Sequence, residues 1–142
     1  MKKICFIALL LFSLILNTHN LHAQTFTSVK EKAKAENKKI LLYFSGSDWC
    51  APCIKFRMNF INADQFKTYS AGNLVVYDAD FPRQKKNALS KEQTAENESL
   101  AEQYNKKGQF PYILLLAADG KLLKEWNGYP KESLEEFIKL LQ

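Results

Sequence analysis

Two cysteines three positions apart carry the most specific chemical signal in this sequence. They lie in the segment Trp49-Cys50-Ala51-Pro52-Cys53. Pro52 suits the first turn of a helix, because a residue there needs no backbone N–H. Cys50 would then lie at the helix N-terminus, where unpaired N–H groups stabilise a thiolate. The spacing therefore predicts dithiol–disulfide exchange, with Cys50 as the attacking nucleophile and Cys53 as the resolving thiol.

Two structural interpretations of the same pair stay open. Cys50 and Cys53 could form an inert disulfide, or they could be half of a metal site. A bridge across two residues closes a very small loop and removes little chain entropy, so it would stabilise a fold poorly. We favour redox activity, because the pair follows an apolar, strand-like run, stands beside Trp49 and contains Pro52.

The first 23 residues have the pattern of a secretory signal peptide. Two lysines precede an apolar run over residues 4–16, and Ala23 is a small residue suited to cleavage. The run is shorter than the roughly 20 residues that span a bilayer as a helix. We therefore predict cleavage after Ala23 and one exported, periplasmic domain over residues 24–142. An uncleaved membrane anchor is the alternative.

Removal of this leader would restrict the chemistry of the chain. Cys5, His19 and His22 all lie within it, so the exported chain would keep two cysteines and no histidine. Without an imidazole, neither a Ser-His-Asp nor a Cys-His nucleophile can be assembled. Two cysteines also fall short of the four ligands of a structural zinc site, unless carboxylates or a second chain contribute. We expect no metal and no cofactor other than the redox-active disulfide Cys50–Cys53.

The charge of the chain does not indicate a polyanionic partner. The sequence of 142 residues has 20 Lys+Arg and 15 Asp+Glu, a formal net charge of +5. Loss of two lysines with the leader would lower this charge to +3, and lysines alternate with glutamates elsewhere. Nucleic-acid binding is therefore not expected. Four cations in a polar connection over residues 82–97 are interpreted as a solvated face rather than a binding patch: Arg83, Lys85, Lys86 and Lys91.

Apolar runs and amphipathic stretches alternate along the rest of the chain. The runs predict strands over residues 40–44, 74–77, 112–117 and 122–126, with Asp119-Gly120 as a hairpin turn. Helical spacing predicts helices over 26–36, 63–69 and 131–141, the end of another at 100–104, and one from Pro52 with Ile54, Met58 and Ile61 on its apolar face. Five consecutive apolar residues at 40–44 are typical of a strand buried on both faces. This order predicts an α/β fold with a β-α-β half followed by a β-β-α half.

Three segments together resemble the thioredoxin superfamily. The apolar run 40–44 followed by W-C-A-P-C is similar to the family's active-site strand and motif. Phe110-Pro111 before an apolar strand looks like its cis-proline segment, and Gly128 before the last helix matches its ending. The resemblance covers residues 26–141. It implies the thioredoxin fold, a central mixed sheet of about four strands flanked by helices, with Pro111 in a cis peptide beside the cysteines.

Some positions depart from the thioredoxin pattern. Tyr43 stands where thioredoxin has a buried acid that manages the proton of the second cysteine, and Val76 stands where it has a lysine. The loop before the motif is one residue longer and reads G-S-D-W-C, similar to an exported thioredoxin-like branch. Its Asp48 is a candidate proton acceptor; capping the following helix or facing water are the alternatives. Tyr43 and Tyr77 could place hydroxyls near the site or simply pack in the core.

The residues around the motif also suggest how a substrate would bind. Trp49, Phe110 and Pro111 could form an apolar platform suited to extended protein segments, although ordinary packing would explain Phe110 equally well. The resemblance implies that the backbone next to Pro111 pairs with an extended substrate segment. We therefore expect substrate contacts on this side of the cysteines.

Together these features predict an exported, monomeric thiol–disulfide oxidoreductase that reduces disulfides of envelope proteins. A reductase in an oxidising envelope needs an outside electron donor. The chain has no flavin or dinucleotide fingerprint, so a membrane thiol transporter is the expected donor. Two alternatives remain: a disulfide oxidase or isomerase with the same fold, and a thioredoxin-fold binding module without redox activity.

Overall fold

A four-stranded sheet with helices on both faces forms from residues 25–142, the part of the chain that the computed structural model describes. The helices are α1 (Phe26–Ala35), α2 (Ala51–Phe56), α3 (Asp64–Asn73), α4 (Lys91–Tyr104) and α5 (Leu134–Leu140). The strands are β1 (Lys39–Ser45), β2 (Leu74–Asp80), β3 (Tyr112–Leu116) and β4 (Leu122–Asn127). A π-helical turn (Arg57–Ile61) continues α2, and a 3₁₀ turn (Lys85–Asn87) precedes α4. The order confirms the predicted β-α-β and β-β-α halves.

The strands lie in the order β2-β1-β3-β4. β1 is parallel to β2 and antiparallel to β3, and β4 is antiparallel to β3. β1 is thus paired on both sides, and its residues from Ile40 to Ser45 are all buried. An unbroken apolar run suits such a strand, because helices cover both of its faces. The sheet is therefore the mixed, helix-flanked sheet that the resemblance to thioredoxins implied.

Alternate residues of β1 point to opposite faces of the sheet, so this strand contributes to two cores. One set packs with α1 and α4: Ile40, Leu42 and Phe44. The other set packs with α2, the π-helical turn and α5: Leu41 and Tyr43. Phe56 of α2 is fully buried in this second core and lies edge-on to Tyr43, with ring centroids 5.6 Å apart. The helix that follows Cys50 is therefore attached directly to the central strand.

The connection between β2 and α4 is shorter than the polar segment 82–97 suggests. The prediction of an exposed connection up to residue 97 is wrong, because α4 begins at Lys91, where the Ser90 hydroxyl caps the helix by accepting the Gln93 N–H at 3.1 Å. Of the α4 residues, Asn97 and Leu100 are buried against the sheet. With one polar and one apolar residue buried, α4 has no apolar periodicity by which its sequence could be identified as a helix.

The apolar face of α2 also differs from the prediction. Ile54 and Met58 are exposed to 40% and 64%, whereas Cys53, Phe56 and Phe60 face the core. Cys53 points inward, and the buried positions Phe56 and Phe60 follow it at helical spacing. Two apolar side chains are consequently left at the surface close to the cysteines.

Two further helix boundaries differ from the prediction. The helix predicted over 63–69 continues to Asn73, and the last helix begins at Leu134 rather than at residue 131. Ser133 and Glu136 form a reciprocal capping box at the start of the last helix. The predicted signal peptide, residues 1–23, lies outside the described residues. Among residues 25–142, no helix is long and apolar enough to cross a membrane.

Candidate active site

Cys50 and Cys53 form a disulfide at the start of α2, with their Cα atoms 5.2 Å apart. Cys50 is the N-cap residue: its sulfur accepts the backbone N–H of Cys53 at 3.3 Å. Pro52 lies in the first turn, as predicted. The two cysteines are 5% and 2% exposed, so both are buried in the oxidised protein. In the reduced protein this position would favour the Cys50 thiolate, because the N–H groups of the first helical turn point at its sulfur.

The loop before the cysteines is shaped by the contact between Gly46 and Trp49. The Gly46 carbonyl accepts the backbone N–H of Cys50 at 2.9 Å. The indole lies directly against Gly46, and a Cβ atom at that position would be 2.3 Å from Trp49 Cε2. The indole N–H donates to the Phe81 carbonyl at 2.7 Å. A glycine is therefore required where the ring crosses the backbone.

We expect Gly46→Ala to destabilise the protein by about 1–3 kcal/mol, because the added methyl forces Trp49 off its position. Chemical denaturation monitored by circular dichroism measures this change. Gly72→Ala is the matched control: Gly72 lies in α3, and a Cβ atom there has no neighbour within 4 Å. That control should gain about 0.5–1 kcal/mol from reduced backbone entropy. Equal stability of Gly46→Ala and wild type would contradict the proposed contact.

The predicted aromatic platform is assembled beside the disulfide. The Trp49 and Phe110 rings meet edge to face, with centroids 5.3 Å apart, and Phe81 packs on Phe110 at 5.6 Å. The Phe110–Pro111 peptide bond is cis, as the resemblance implied. The Arg83 guanidinium lies 3.7 Å from the centroid of the Trp49 ring. Three predicted residues, Trp49, Phe110 and Pro111, are thus brought together, with Phe81 and Arg83 added by the fold.

Asp48 anchors the loop before the cysteines to the segment after β2 by hydrogen bonds. Its carboxylate accepts the backbone N–H groups of Arg83 and Gln84 and the side-chain amide of Asn87, all at 2.9 Å. These hydrogen bonds, that of Arg83 foremost, hold the pKa of Asp48 below its usual range. Cys50, rather than Asp48, caps α2. A carboxylate occupied in this way is poorly suited to accept the proton of a cysteine.

The acid nearest to the predicted proton-handling position is Asp78 of β2. Tyr43 and Asp78 are register partners in the parallel pair β1–β2, and their side chains share a face of the sheet. The Asp78 carboxylate accepts the Ser45 hydroxyl at 2.6 Å and forms an ion pair with Arg57. Burial raises the pKa of Asp78 to about 6, against the opposing effects of Ser45 and Arg57. Burial also raises the pKa of Tyr43 well above its usual value, so its phenol stays protonated.

A small cavity of about 70 Å³ lies between the resolving cysteine and two partners of this acid, Ser45 and Arg57. Its lining residues are Ser45, Ser47, Cys53, Ile54, Arg57 and Met58. Ser45 and Arg57 each contact Asp78, so the carboxylate lies one hydrogen bond from the cavity that Cys53 faces. The volume exceeds the ~10–15 Å³ that a water needs, and Ser45, Ser47 and Arg57 supply polar groups to a lining that is otherwise mostly apolar.

Asp80, two residues further along β2, fixes the same region. It accepts the hydroxyl of Ser47 at 2.6 Å and that of Ser45 at 3.2 Å. Asp78 and Asp80 were not singled out in the sequence. Their alternation at the carboxyl end of a strand beside the active-site strand is the signal that could have found them, because parallel strands end at the same edge.

The other sequence candidates lie elsewhere. Tyr77 is on the opposite face of β2 from Asp78, and its hydroxyl accepts the Gln93 side-chain amide of α4 at 2.7 Å. Val76 pairs with Leu41 and packs at the edge of the second core. Tyr77 is therefore kept away from the cysteines. Within residues 25–142, no group of three or more histidine, cysteine or acidic side chains is arranged to hold a metal ion.

Comparison with known proteins agrees with this geometry. A family model described as a thioredoxin-like domain matches residues 26–142. The disulfide bond reductase DsbH of Chlamydia pneumoniae is 36% identical over 111 residues, which cover 78% of this chain and 65%, just under two thirds, of that relative.

Solved structures extend the comparison. A DsbH oxidoreductase structure is 30% identical, with a TM-score of 0.74 and coverage of 86% of this chain and 82% of that one. A disulphide isomerase from Xylella fastidiosa Temecula1 has the same fold, with 18% identity, a TM-score of 0.58 and coverage of 89% and 95%. The chain therefore belongs to the thioredoxin-like family and carries the paired-cysteine site of its thiol–disulfide oxidoreductases.

Proposed function

We propose that the chain is an exported thiol–disulfide oxidoreductase that reduces the disulfides of other envelope proteins. The observation that carries this proposal is the Cys50–Cys53 disulfide at the start of α2, with the Cys50 sulfur accepting a backbone N–H. Similarity to a disulfide bond reductase supports the direction of electron flow. Pro52 within the pair and the absence of a histidine there also favour reduction, as strongly oxidising relatives often carry a histidine in the pair.

The reaction needs only the two sulfurs and one proton acceptor. The Cys50 thiolate attacks a sulfur of the substrate disulfide, forms a mixed disulfide and releases the other substrate sulfur as a thiolate. Cys53 then loses its proton and attacks the Cys50 sulfur. This second step releases the remaining substrate sulfur as a thiolate and leaves the Cys50–Cys53 disulfide. Two electrons pass from the protein to the substrate, and the released thiolates take up protons from solvent.

We propose that Asp78, rather than Asp48 or Tyr43, accepts the Cys53 proton. The route runs through the Ser45 hydroxyl, or through a water in the cavity between Ser45 and Cys53. With a pKa of about 6, Asp78 is ionised at neutral pH and still basic enough to take a proton. Arg57 holds the carboxylate in place.

The substrate would approach over the aromatic platform. Trp49 and Phe110 meet edge to face and are each partly exposed, and the backbone next to Pro111 would pair with an extended segment. The exposed Ile54 and Met58 side chains add apolar surface next to Cys53. Disulfide-containing envelope proteins fit such a surface, because unfolded or extended segments expose apolar side chains beside their cysteines.

Export and electron supply complete the proposal. Residues 1–23 would be a signal peptide that is removed after Ala23, and the mature domain would act as a monomer in the periplasm. A membrane thiol transporter would re-reduce the Cys50–Cys53 disulfide. No nucleic acid, metal or additional cofactor takes part in this scheme.

A redox titration combined with an insulin reduction assay tests the direction. We expect the protein to accelerate insulin reduction by dithiothreitol and to have a reduction potential close to that of thioredoxin, about −270 mV. The ratio of protein with the reduced Cys50 and Cys53 pair to protein with the disulfide is measured in glutathione or dithiothreitol buffers of known potential. A potential near that of DsbA, about −120 mV, would favour the oxidase instead. Failure of both cysteines to react with a mild alkylating reagent at neutral pH would favour a binding module.

A further inference from the structure

We propose that the basic segment after β2 is a docking surface for acidic residues of the substrate. We call it the basic ledge and define it as residues 82–87, with Arg83, Lys85 and Lys86 as its cations. The proposal rests on the proposed function, because it names the substrate class that the same cysteines would select. It goes beyond the interpretation of these cations as a solvated face.

The basic ledge is attached to the loop that carries Cys50. Asp48, two residues before Cys50, accepts hydrogen bonds from the backbone of Arg83 and Gln84 and from the side chain of Asn87. The Trp49 indole N–H donates to the carbonyl of Phe81, just before the ledge. A 3₁₀ turn at its end shortens the segment. The backbone that carries these cations is therefore anchored to the loop that carries Cys50.

The charges of the ledge are directed outward. Arg83, Lys85 and Lys86 are all exposed, and none of them forms an ion pair with another described residue. Asp48 offsets one of these charges, but its oxygens face the backbone N–H groups that they bind. The ledge therefore presents a net positive surface to a molecule that approaches Cys50.

Arg83 is the cation best placed to contact a substrate. Its guanidinium stacks on the Trp49 ring at 3.7 Å, one residue from Cys50. Stacking occupies the face of a guanidinium and leaves its N–H edges available for a carboxylate, which they bind in a bidentate manner. A substrate cysteine that reaches Cys50 would bring its neighbouring residues to this edge. Acidic residues that flank the substrate cysteine should therefore accelerate the reaction.

Three disulfide-bonded peptides of one sequence test the proposal, with glutamate, glutamine or lysine at the positions that flank the cysteine. The second-order rate constant of each peptide with the reduced protein is measured at low and high salt. We expect the glutamate peptide to react about 10-fold faster than the lysine peptide at low ionic strength, within the range of electrostatic steering. The ratio should fall toward one near 1 M salt, where the Debye length is about 3 Å.

Two variants of the ledge and one control locate the effect, and the control removes the same number of charges as the double ledge variant. Lys85→Gln/Lys86→Gln should lower the glutamate-to-lysine ratio, and Arg83→Gln should lower it further. Lys32→Gln/Lys34→Gln is the control, because these exposed lysines of α1 precede β1 and lie at the opposite end of the sheet from the cysteines. The control should keep the wild-type ratio.

The outcomes separate this proposal from the proposed function. Equal reduction of all three peptides by the wild type would overturn the docking surface and leave the reductase intact. A preference that survives in both ledge variants would also overturn it. Lack of reaction with the neutral glutamine peptide would instead count against the proposed function itself.

Discussion

Cys50→Ser is expected to lower the rate of disulfide reduction by roughly 10³-fold or more, whereas Cys53→Ser is expected to accumulate a mixed disulfide with the substrate. The physical reason is the difference between the sulfurs. Cys50 caps α2, so its thiolate is stabilised by the N–H groups of the first helical turn. Cys53 lies within that turn, where it is placed to attack a sulfur that is already bound to Cys50. The measurements are insulin reduction and mass spectrometry of the trapped adduct.

The control for both variants is the reduced wild type, because neither variant can form the Cys50–Cys53 disulfide. Unfolding curves of the three proteins should be similar, since none of them contains the disulfide and each variant replaces only one sulfur by oxygen. A Cys53→Ser protein that forms no adduct, together with a Cys50→Ser protein that does, would reverse the roles of the cysteines. Equal insulin reduction by Cys50→Ser and wild type would refute the exchange chemistry altogether.

Asp78→Asn is expected to slow the second step by about 10²-fold at neutral pH, at the lower end of the effect of a positioned proton acceptor. The first step, attack by Cys50, should change much less. An aromatic disulfide reagent separates the two steps, because each step releases one coloured thiolate. The rate constant of the slow phase then reports the resolution by Cys53.

The pH dependence distinguishes proton transfer from a purely structural role. In the wild type the rate of the second step should rise with pH around 6, because protonated Asp78 has no capacity to accept a proton below its pKa. This rise should be absent in Asp78→Asn. In Ser45→Ala the midpoint should move upward, since the Ser45 hydrogen bond lowers the pKa of Asp78.

A matched control for Asp78→Asn is Asp64→Asn, which removes an exposed carboxylate from the start of α3. This control should leave both phases and their pH profiles unchanged. If Asp78→Asn kept the wild-type profile of the second step, Asp78 would not be the acceptor. If Asp78→Asn slowed both steps equally and also lost stability, its role would be structural, and the Arg57 ion pair would be the cause.

The elements around the cysteines could be predicted because their signals are local. Five consecutive apolar residues at 40–44 indicated a buried strand, and Pro52 indicated the first turn of a helix. Asp119-Gly120 indicated the β3–β4 hairpin. The cis peptide at Pro111 came from the resemblance to thioredoxins, since an X-Pro sequence by itself favours trans.

Other predictions from the sequence were wrong, for identifiable reasons. α4 carries only Asn97 and Leu100 as buried residues, so its amphipathic pattern is too weak to separate it from a polar connection. Ile54 and Met58 have the spacing of a buried face but are exposed, because Cys53 and Phe56 take the inward positions. Periodicity identifies a helix but does not establish which of two apolar faces is buried.

By itself, the sequence determined the reactive pair, the helix that begins between its cysteines and the strand that precedes it, because residues a few positions apart create each of these features. Only the tertiary structure decided what surrounds the pair. The register of β1 with β2 brings Asp78 to Ser45, which lines the Cys53 cavity, and Asp48 holds a segment 35 residues away. Arg83 lies on Trp49, which is also distant from it in the sequence. These contacts depend on how distant segments pack, so they cannot be predicted from composition and spacing.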